Sequence, residues 1–159
     1  MLELLKDILP KILGYLAPFI IRLYYKVSRI DEGIKIRVRS DGEGVTYNCG
    51  ELASIRIWLE LCNLTPFTIE FDRMYGQVLL GNCVGDFAFL QKNTLDPAHE
   101  KSILIEIFLN EAQTKHIRVN QNKTQTTIIL GAFINCKIHD LTINRNIKTN
   151  NTNYINCLF

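Results

Sequence analysis

The segment ASIRIWLELCN, residues 53–63, alternates apolar and mostly polar side chains with a period of two. This alternation predicts a β-strand with one face in the core and the other mostly in water. The stretch NLTPFTIEFDRMYGQVLLGN, residues 63–82, continues the pattern. Pro66 cannot donate a hydrogen bond to a sheet, so it predicts an edge or a strand start. Tyr75-Gly76 predicts a crossing or bulge that separates two shorter strands.

The period of two covers most of the chain after residue 33. IKIRVR (34–39) and VTYN (45–48) predict two strands, which SDGEG (40–44) could join as a hairpin. Only EAQTKHIRV (111–119) predicts helical turns in this part of the chain. Further strands are predicted within 83–97, 99–110, 126–138 and 141–147. Many short strands with hardly any helix predict a mainly β, antiparallel sandwich.

The first 25 residues predict a separate helix. Its fully apolar run, residues 12–21, is shorter than the roughly 20 residues that a membrane-spanning helix needs. Pro10 and Pro18 would kink or divide the helix. Three interpretations remain open: an interfacial or shallow membrane helix, a helix that self-associates or docks on a protein, and a membrane span. The face that would contact a membrane or a partner helix is Leu5, Leu9, Ile12, Leu16, Phe19 and Leu23.

Charge is distributed unevenly along the chain, with basic ends and an acidic middle. Arg22, Lys26 and Arg29 follow the apolar helix and are the predicted membrane-proximal basic residues. No zinc-finger spacing or RNA-binding signature accompanies the charge, so a nucleic-acid partner is not predicted. The chain is divided into an N-terminal helix (1–29), a β-sandwich domain (30–147) and a polar, loosely held tail (148–159).

Five cysteines occur at wide spacings, without a CxxC pair. We expect free, mostly buried thiols in a reducing compartment, and the alternative is one disulfide in an exported domain. Free thiols would place the domain on the cytoplasmic side of the membrane.

No constellation in the sequence predicts catalysis. Cys136 and His139 lie three residues apart and would point to opposite faces of a strand, which argues against a nucleophilic pair. The DGEG segment (41–44) lacks the ligand spacing of a calcium loop. We therefore predict no enzyme activity, no catalytic residue, no cofactor and no metal site.

Trp58 lies on the less apolar strand face, where it could be an exposed recognition residue or be covered by a loop or by the N-terminal helix.

Strand order and one short signature are similar to the late embryogenesis abundant group 2 domains, which include the water-stress and hypersensitive-response (WHy) domains. The matching pieces are IRIWLELCNLTPFTIEF (55–71), the strand 75–81, the LDP loop (95–97), SILIEIFL (102–109) and TTIILGAFIN (126–135). The resemblance implies an immunoglobulin- or fibronectin-III-like sandwich, often tethered to a membrane, linked to stress protection and proposed to bind lipid. It also implies a structural role for Asn63, Pro66 and Phe67: Asn63 bonds backbone, Pro66 blunts an edge, and Phe67 enters the core.

Two functions follow from these observations. The first is a non-enzymatic, membrane-associated sandwich that binds lipid or a protein partner through or beside the N-terminal helix. The alternative is a structural subunit of a larger complex or homo-oligomer, assembled through the same helix.

Overall fold

The computed structural model describes residues 19–123 and 125–157. Within this part the chain is mainly β, as predicted, with helical turns over residues 19–24 and two short helices, α1 (Val27–Gly33) and α2 (Glu111–Asn120). The strands in chain order are β1 (Ile34–Val38), β2 (Val45–Asn48), β3 (Ser54–Asn63), β4 (Ile69–Leu80), β5 (Asn82–Phe89), β6 (Asn93–Leu95), β7 (Glu100–Phe108), β8 (Thr126–Cys136), β9 (Asp140–Thr149) and β10 (Thr152–Ile155). The helical turns predicted for 111–119 are confirmed as α2, whose N-cap Asn110 forms a reciprocal capping box with Gln113.

The first sheet is built around β3, which pairs with β7 along one edge. Along the other edge, β1 and β2 both run antiparallel to β3, one after the other. The predicted hairpin of β1 and β2 is therefore wrong. The two segments are one interrupted strand, and residues 39–44 loop out of it while Arg39 and Gly44 bond the backbone of Trp58 from both sides.

The second sheet is built around β4, with β8 and then β9 on one side and β5 and β6 on the other. The predicted break at residues 74–76 is wrong, because β4 runs unbroken through Gly76. A Cβ at Gly76 would collide with the Ile129 carbonyl oxygen and with the Phe87 ring, so glycine lets the neighbouring strands approach closely. The register shifts lie elsewhere, between Phe71 and Arg73 and between Val78 and Leu79.

Inward-facing side chains of both sheets form one buried core. The first sheet contributes the predicted apolar face of β3, which is completely buried at Ile55, Ile57, Leu59 and Leu61. The second sheet contributes buried side chains of β4 and β8, namely Phe71, Met74, Ile128, Leu130, Ala132 and Ile134. The alternation read from the sequence thus identified the core face of β3 correctly.

The C-terminal segment is held against the first sheet. β10 pairs in parallel with β2, an exception to the otherwise antiparallel pairing of the described strands. Cys49, which follows β2, forms a disulfide with Cys157, while Cys62 and Cys136 are free. The prediction of a loosely held tail is wrong for residues 148–157, and the expectation of free thiols is wrong for this pair.

Candidate functional site

The described part of the chain begins with a group of exposed apolar side chains. Phe19 and Leu23 of the predicted contact face are each 64% exposed, and Tyr24 and Val27 beside them are exposed as well. The other residues predicted for this face, Leu5, Leu9, Ile12 and Leu16, lie outside the described residues. Large apolar side chains that cluster on the surface indicate a binding surface more strongly than scattered ones do. We call residues 19–27 the apolar segment.

The predicted basic residues lie within this segment or directly after it. Arg22, Lys26 and Arg29 are all exposed. The Arg29 guanidinium lies 4.4 Å from the centre of the Tyr24 ring and donates to the Tyr24 carbonyl oxygen at 3.4 Å. This cation–π contact places a positive charge and an aromatic ring side by side at one surface. The segment thus combines apolar, aromatic and cationic groups, the combination found at membrane interfaces.

Tyr25 connects the apolar segment to the sheets. Its carbonyl oxygen lies 3.0 Å from His139 Nε2, and its ring meets the Phe67 ring edge-on, with centroids 4.9 Å apart. Phe67 is only half-buried and does not enter the core, in contrast to the role that the family resemblance implied. His139 and Phe67 belong to two different loops, so the segment is fixed at one point by residues distant in sequence.

Helix α1 supplies the second attachment. Ile30 is its buried residue, at 1% exposure. Arg145 of β9 reaches the helix end with one guanidinium nitrogen, which donates to the Asp31 carboxylate at 2.7 Å and to the carbonyl oxygens of Asp31 and Ile34 at 2.8 and 3.1 Å. Carbonyl groups at a helix C-terminus lack partners within the helix, and a cation there is favourable.

The Asn63 side chain organises the loop next to this attachment. Its Nδ2 donates to the carbonyl oxygens of Phe67 and Leu95, at 2.7 and 3.0 Å, and its Oδ1 accepts from both the backbone and the hydroxyl of Thr65. Pro66 lies exposed between these partners. A completely buried amide satisfied four times stabilises the loop and offers no group to a ligand.

Groups that could have carried chemistry are used structurally. Cys136 and His139 close the turn between β8 and β9, where the thiol donates to the His139 carbonyl oxygen at 3.1 Å and the ring points to Tyr25. Among residues 19–123 and 125–157 no cluster of His, Cys, Asp and Glu could hold a metal ion. Trp58 is half-buried, and the Arg39 guanidinium lies 5.7 Å from its ring centre.

Two features of the site were not found by sequence reasoning. The attachment of α1 depends on Arg145, which lies 114 residues from Asp31. No local pattern signals such a pair. The Tyr25–His139 contact has the same separation and was likewise not predicted. In the part of the chain that the structure describes, no helix is long and apolar enough to cross a membrane.

Comparison with known proteins places the fold. No protein-family model matches the chain, and no curated protein matches it by sequence. The solution structure of a protein described as a late embryogenesis abundant (LEA) protein aligns with a TM-score of 0.51 and 12% identity, over 92% of this chain and 82% of that chain. The X-ray structure of the Northeast Structural Genomics Consortium target SoR45 aligns with a TM-score of 0.51 and 9% identity, over 74% of this chain and 86% of that chain. At these identities the similarity shows a common fold alone.

Proposed function

We propose that this protein is a non-enzymatic, membrane-associated β-sandwich of the LEA group 2 type, of immunoglobulin or fibronectin-III-like topology. The apolar segment and its basic residues would seat the domain on an anionic lipid surface. The observation that carries the proposal is the exposure of Phe19 and Leu23 next to Arg22, Lys26 and Arg29.

The energetic argument has an apolar and an electrostatic part. Burying a side chain such as Phe19 or Leu23 in the acyl region gains about 1.5–3 kcal/mol. Each lysine or arginine held at an anionic surface adds about 1 kcal/mol, which falls as salt increases. These gains are large enough for reversible binding and depend on both lipid charge and ionic strength.

The family resemblance adds a biological expectation to this physical one. It implies a role in stress protection, with lipid or a protein as the partner, and the shared fold of an LEA protein supports that expectation. We also propose that the domain faces the cytoplasm. The Cys49–Cys157 disulfide is evidence against this placement, because disulfides are rare in the cytosol. Recovery of the disulfide-linked peptide from protein isolated directly from its native cells would reject the cytoplasmic placement.

Liposome flotation tests the proposal. We expect the full chain to float with vesicles that contain anionic lipid and to float less with neutral vesicles. Phe19→Glu/Leu23→Glu should abolish flotation, since both side chains are exposed and their replacement leaves the core intact. Leu52→Glu/Leu90→Glu is the matched control, because these leucines are 77% and 73% exposed outside the apolar segment. This control should float like the unaltered protein.

The alternative function, a subunit assembled through the helix, gives a different outcome. In that case the full chain would form an oligomer in light scattering without lipid, Phe19→Glu/Leu23→Glu would be monomeric, and neither would float. That result would overturn the membrane proposal and establish self-association as the role of the apolar segment.

A further inference from the structure

The outer surface of the second sheet carries an aromatic ring that lies flat on the strands. Tyr75 of β4 is 42% exposed and pairs with Gly131 of β8. A Cβ built on Gly131 would stand 2.6 Å from the Tyr75 ring, so the ring lies directly across the glycine. One side of the ring therefore covers backbone, and the other side is left to solvent.

A second aromatic side chain extends this surface along the strands. The Phe133 ring centre lies 5.7 Å from that of Tyr75, with the planes tilted by 39°. The Arg73 guanidinium covers Phe133 at 4.3 Å from its ring centre. The outer side of the Tyr75 ring is thus open to solvent, whereas the Arg73 guanidinium covers the Phe133 ring.

Amide and hydroxyl side chains frame the two rings. Gln77 follows Tyr75 on the same face of β4, Asn144 of β9 is paired with Gly131, and Thr142 is paired with Phe133. Two adjoining grooves lie here, of about 430 Å³ around Tyr75 and about 410 Å³ around Phe133. Both grooves are open to solvent, so a ligand bound there would lie along the surface of the sheet. We call the surface formed by Arg73, Tyr75, Gln77, Phe133, Thr142 and Asn144 the aromatic platform.

The charges around the platform decide what kind of ligand fits. Lys92 is bound to Glu70 at 2.9 Å and lies 3.8 Å from Asp72. Asp140 lines the same groove, and Asp86 lines the one around Tyr75. Carboxylates outnumber the basic groups, Arg73 and Lys92, so the surface does not attract a phosphate backbone or another polyanion.

We propose that the aromatic platform binds an uncharged oligosaccharide chain. A sugar ring has an apolar C–H face, which matches the open face of Tyr75, and a rim of hydroxyl groups. Carboxamides such as those of Gln77 and Asn144 offer a donor and an acceptor side by side, and so pair with neighbouring hydroxyls. This inference is independent of the membrane proposal, because the platform and the apolar segment share no residue.

A titration followed by NMR tests the inference with the full chain. The probes are the uncharged tetrasaccharides cellotetraose, maltotetraose, mannotetraose and xylotetraose at millimolar concentration. We expect at least one to shift the amide signals of Tyr75, Gly131 and Asn144. Tyr75→Ala should weaken that binding about tenfold or more, since stacking on an aromatic ring is lost. Tyr75→Trp keeps an aromatic ring and should retain binding.

Two controls separate binding from damage to the fold. Tyr24→Ala removes another exposed tyrosine, one that is not part of the platform, and should bind sugar normally. The amide spectrum of Tyr75→Ala without sugar should be that of a folded protein, and Tyr75→Trp, which keeps a ring over Gly131, separates lost binding from lost packing. If no tetrasaccharide shifts these signals, or if Tyr75→Ala binds as tightly as the unaltered protein, the inference is overturned. It is also overturned if a single-stranded RNA dodecamer binds the platform and the sugars do not.

Discussion

The family resemblance implied a structural role for Asn63, and part of that role lies close along the chain. An asparagine at a strand end indicates a side chain that bonds nearby backbone, and its contacts with Thr65 and Phe67 are of that local kind. Its bond to the Leu95 carbonyl oxygen spans 32 residues and could not be predicted, because it depends on β6 lying beside β4. The chemistry of the residue was readable from the sequence, and its distant partner was not.

Tyr47 leads to a prediction about pH. It is completely buried, its hydroxyl lies 3.1 Å from Thr126 Oγ1, and desolvation raises the pKa of its phenol well above the ordinary value. In the unfolded chain a tyrosine ionises near pH 10. Above that pH the unfolded chain loses a proton that the folded protein keeps, so rising pH favours unfolding. The contribution of Tyr47 to the free energy of unfolding is therefore fully present below about pH 10. Above that pH it falls by up to about 1.4 kcal/mol per pH unit.

Urea unfolding at a series of pH values between 8 and 12 measures this effect. Tyr47→Phe should be less stable at pH 8, since the hydroxyl contact is lost, yet should lose less of its stability on going to pH 11. Tyr24→Phe, at an exposed position, should follow the unaltered protein. Parallel pH profiles for Tyr47→Phe and the unaltered protein would contradict the assignment.

At the scale of elements, strands were predicted well and their connections were not. β1, β3, β7 and β8 lie where alternation predicted them, because period two follows directly from strand geometry. The predicted β1–β2 hairpin failed because a polar loop rich in glycine is equally compatible with a turn and with an excursion from a single strand. The structure shows the excursion. The Asn151 side chain holds it in place by donating to the carbonyl oxygens of Arg39, Ser40 and Gly42.

The attachment of α1 to β9 gives a prediction at this scale. Arg145→Met should cost about 2 kcal/mol, because three acceptors at the helix end lose a charged donor. Hydrogen exchange should accelerate over residues 27–33. The measurement is urea unfolding together with exchange followed by mass spectrometry.

Arg56→Met is the matched control for this change. Arg56 binds Glu106 at 2.8 Å across two strands and is more exposed than Arg145, so its loss should cost clearly less than the loss of Arg145. Equal costs for the two variants, or unchanged exchange in α1 after Arg145→Met, would show that Arg145 does not hold the helix.

At the scale of the whole molecule, the sequence predicted a mainly β chain but not how its end is fastened. The tail from Asn144 is rich in asparagine, which usually indicates loops, and a four-residue strand such as β10 is too short to show a period. Cysteine spacing could not identify the Cys49–Cys157 pair either, since the residues are 108 apart. A contact role for Phe19, Leu23 and the basic residues beside them stays a prediction from the sequence, while the attachment of this segment through Tyr25 and Arg145 is visible only in the folded chain.

We expect the Cys49–Cys157 disulfide to contribute strongly to the free energy of unfolding. Closing a loop of about 100 residues removes chain entropy worth about 4.7 kcal/mol in the simplest treatment, and measured effects lie at roughly 2–5 kcal/mol. We expect Cys157→Ala to lower the free energy of unfolding within that range and to accelerate hydrogen exchange over residues 152–155. Cys62→Ala, at a free and half-buried cysteine, is the control and should leave exchange in β10 unchanged. A peptide map of the purified protein without a Cys49–Cys157 link would contradict the pairing.

If the apolar segment enters the acyl region of a membrane, residue 19 lies below the headgroups, and a tryptophan at this position reports that depth. Phe19→Trp in a Trp58→Phe background gives a protein with a single tryptophan, since the natural chain has one. We predict that anionic vesicles shift its emission to the blue and that lipids brominated in the acyl chains quench it. Leu52→Trp in the same background should show neither effect. An unshifted, unquenched tryptophan at position 19 in the presence of such vesicles would contradict the account.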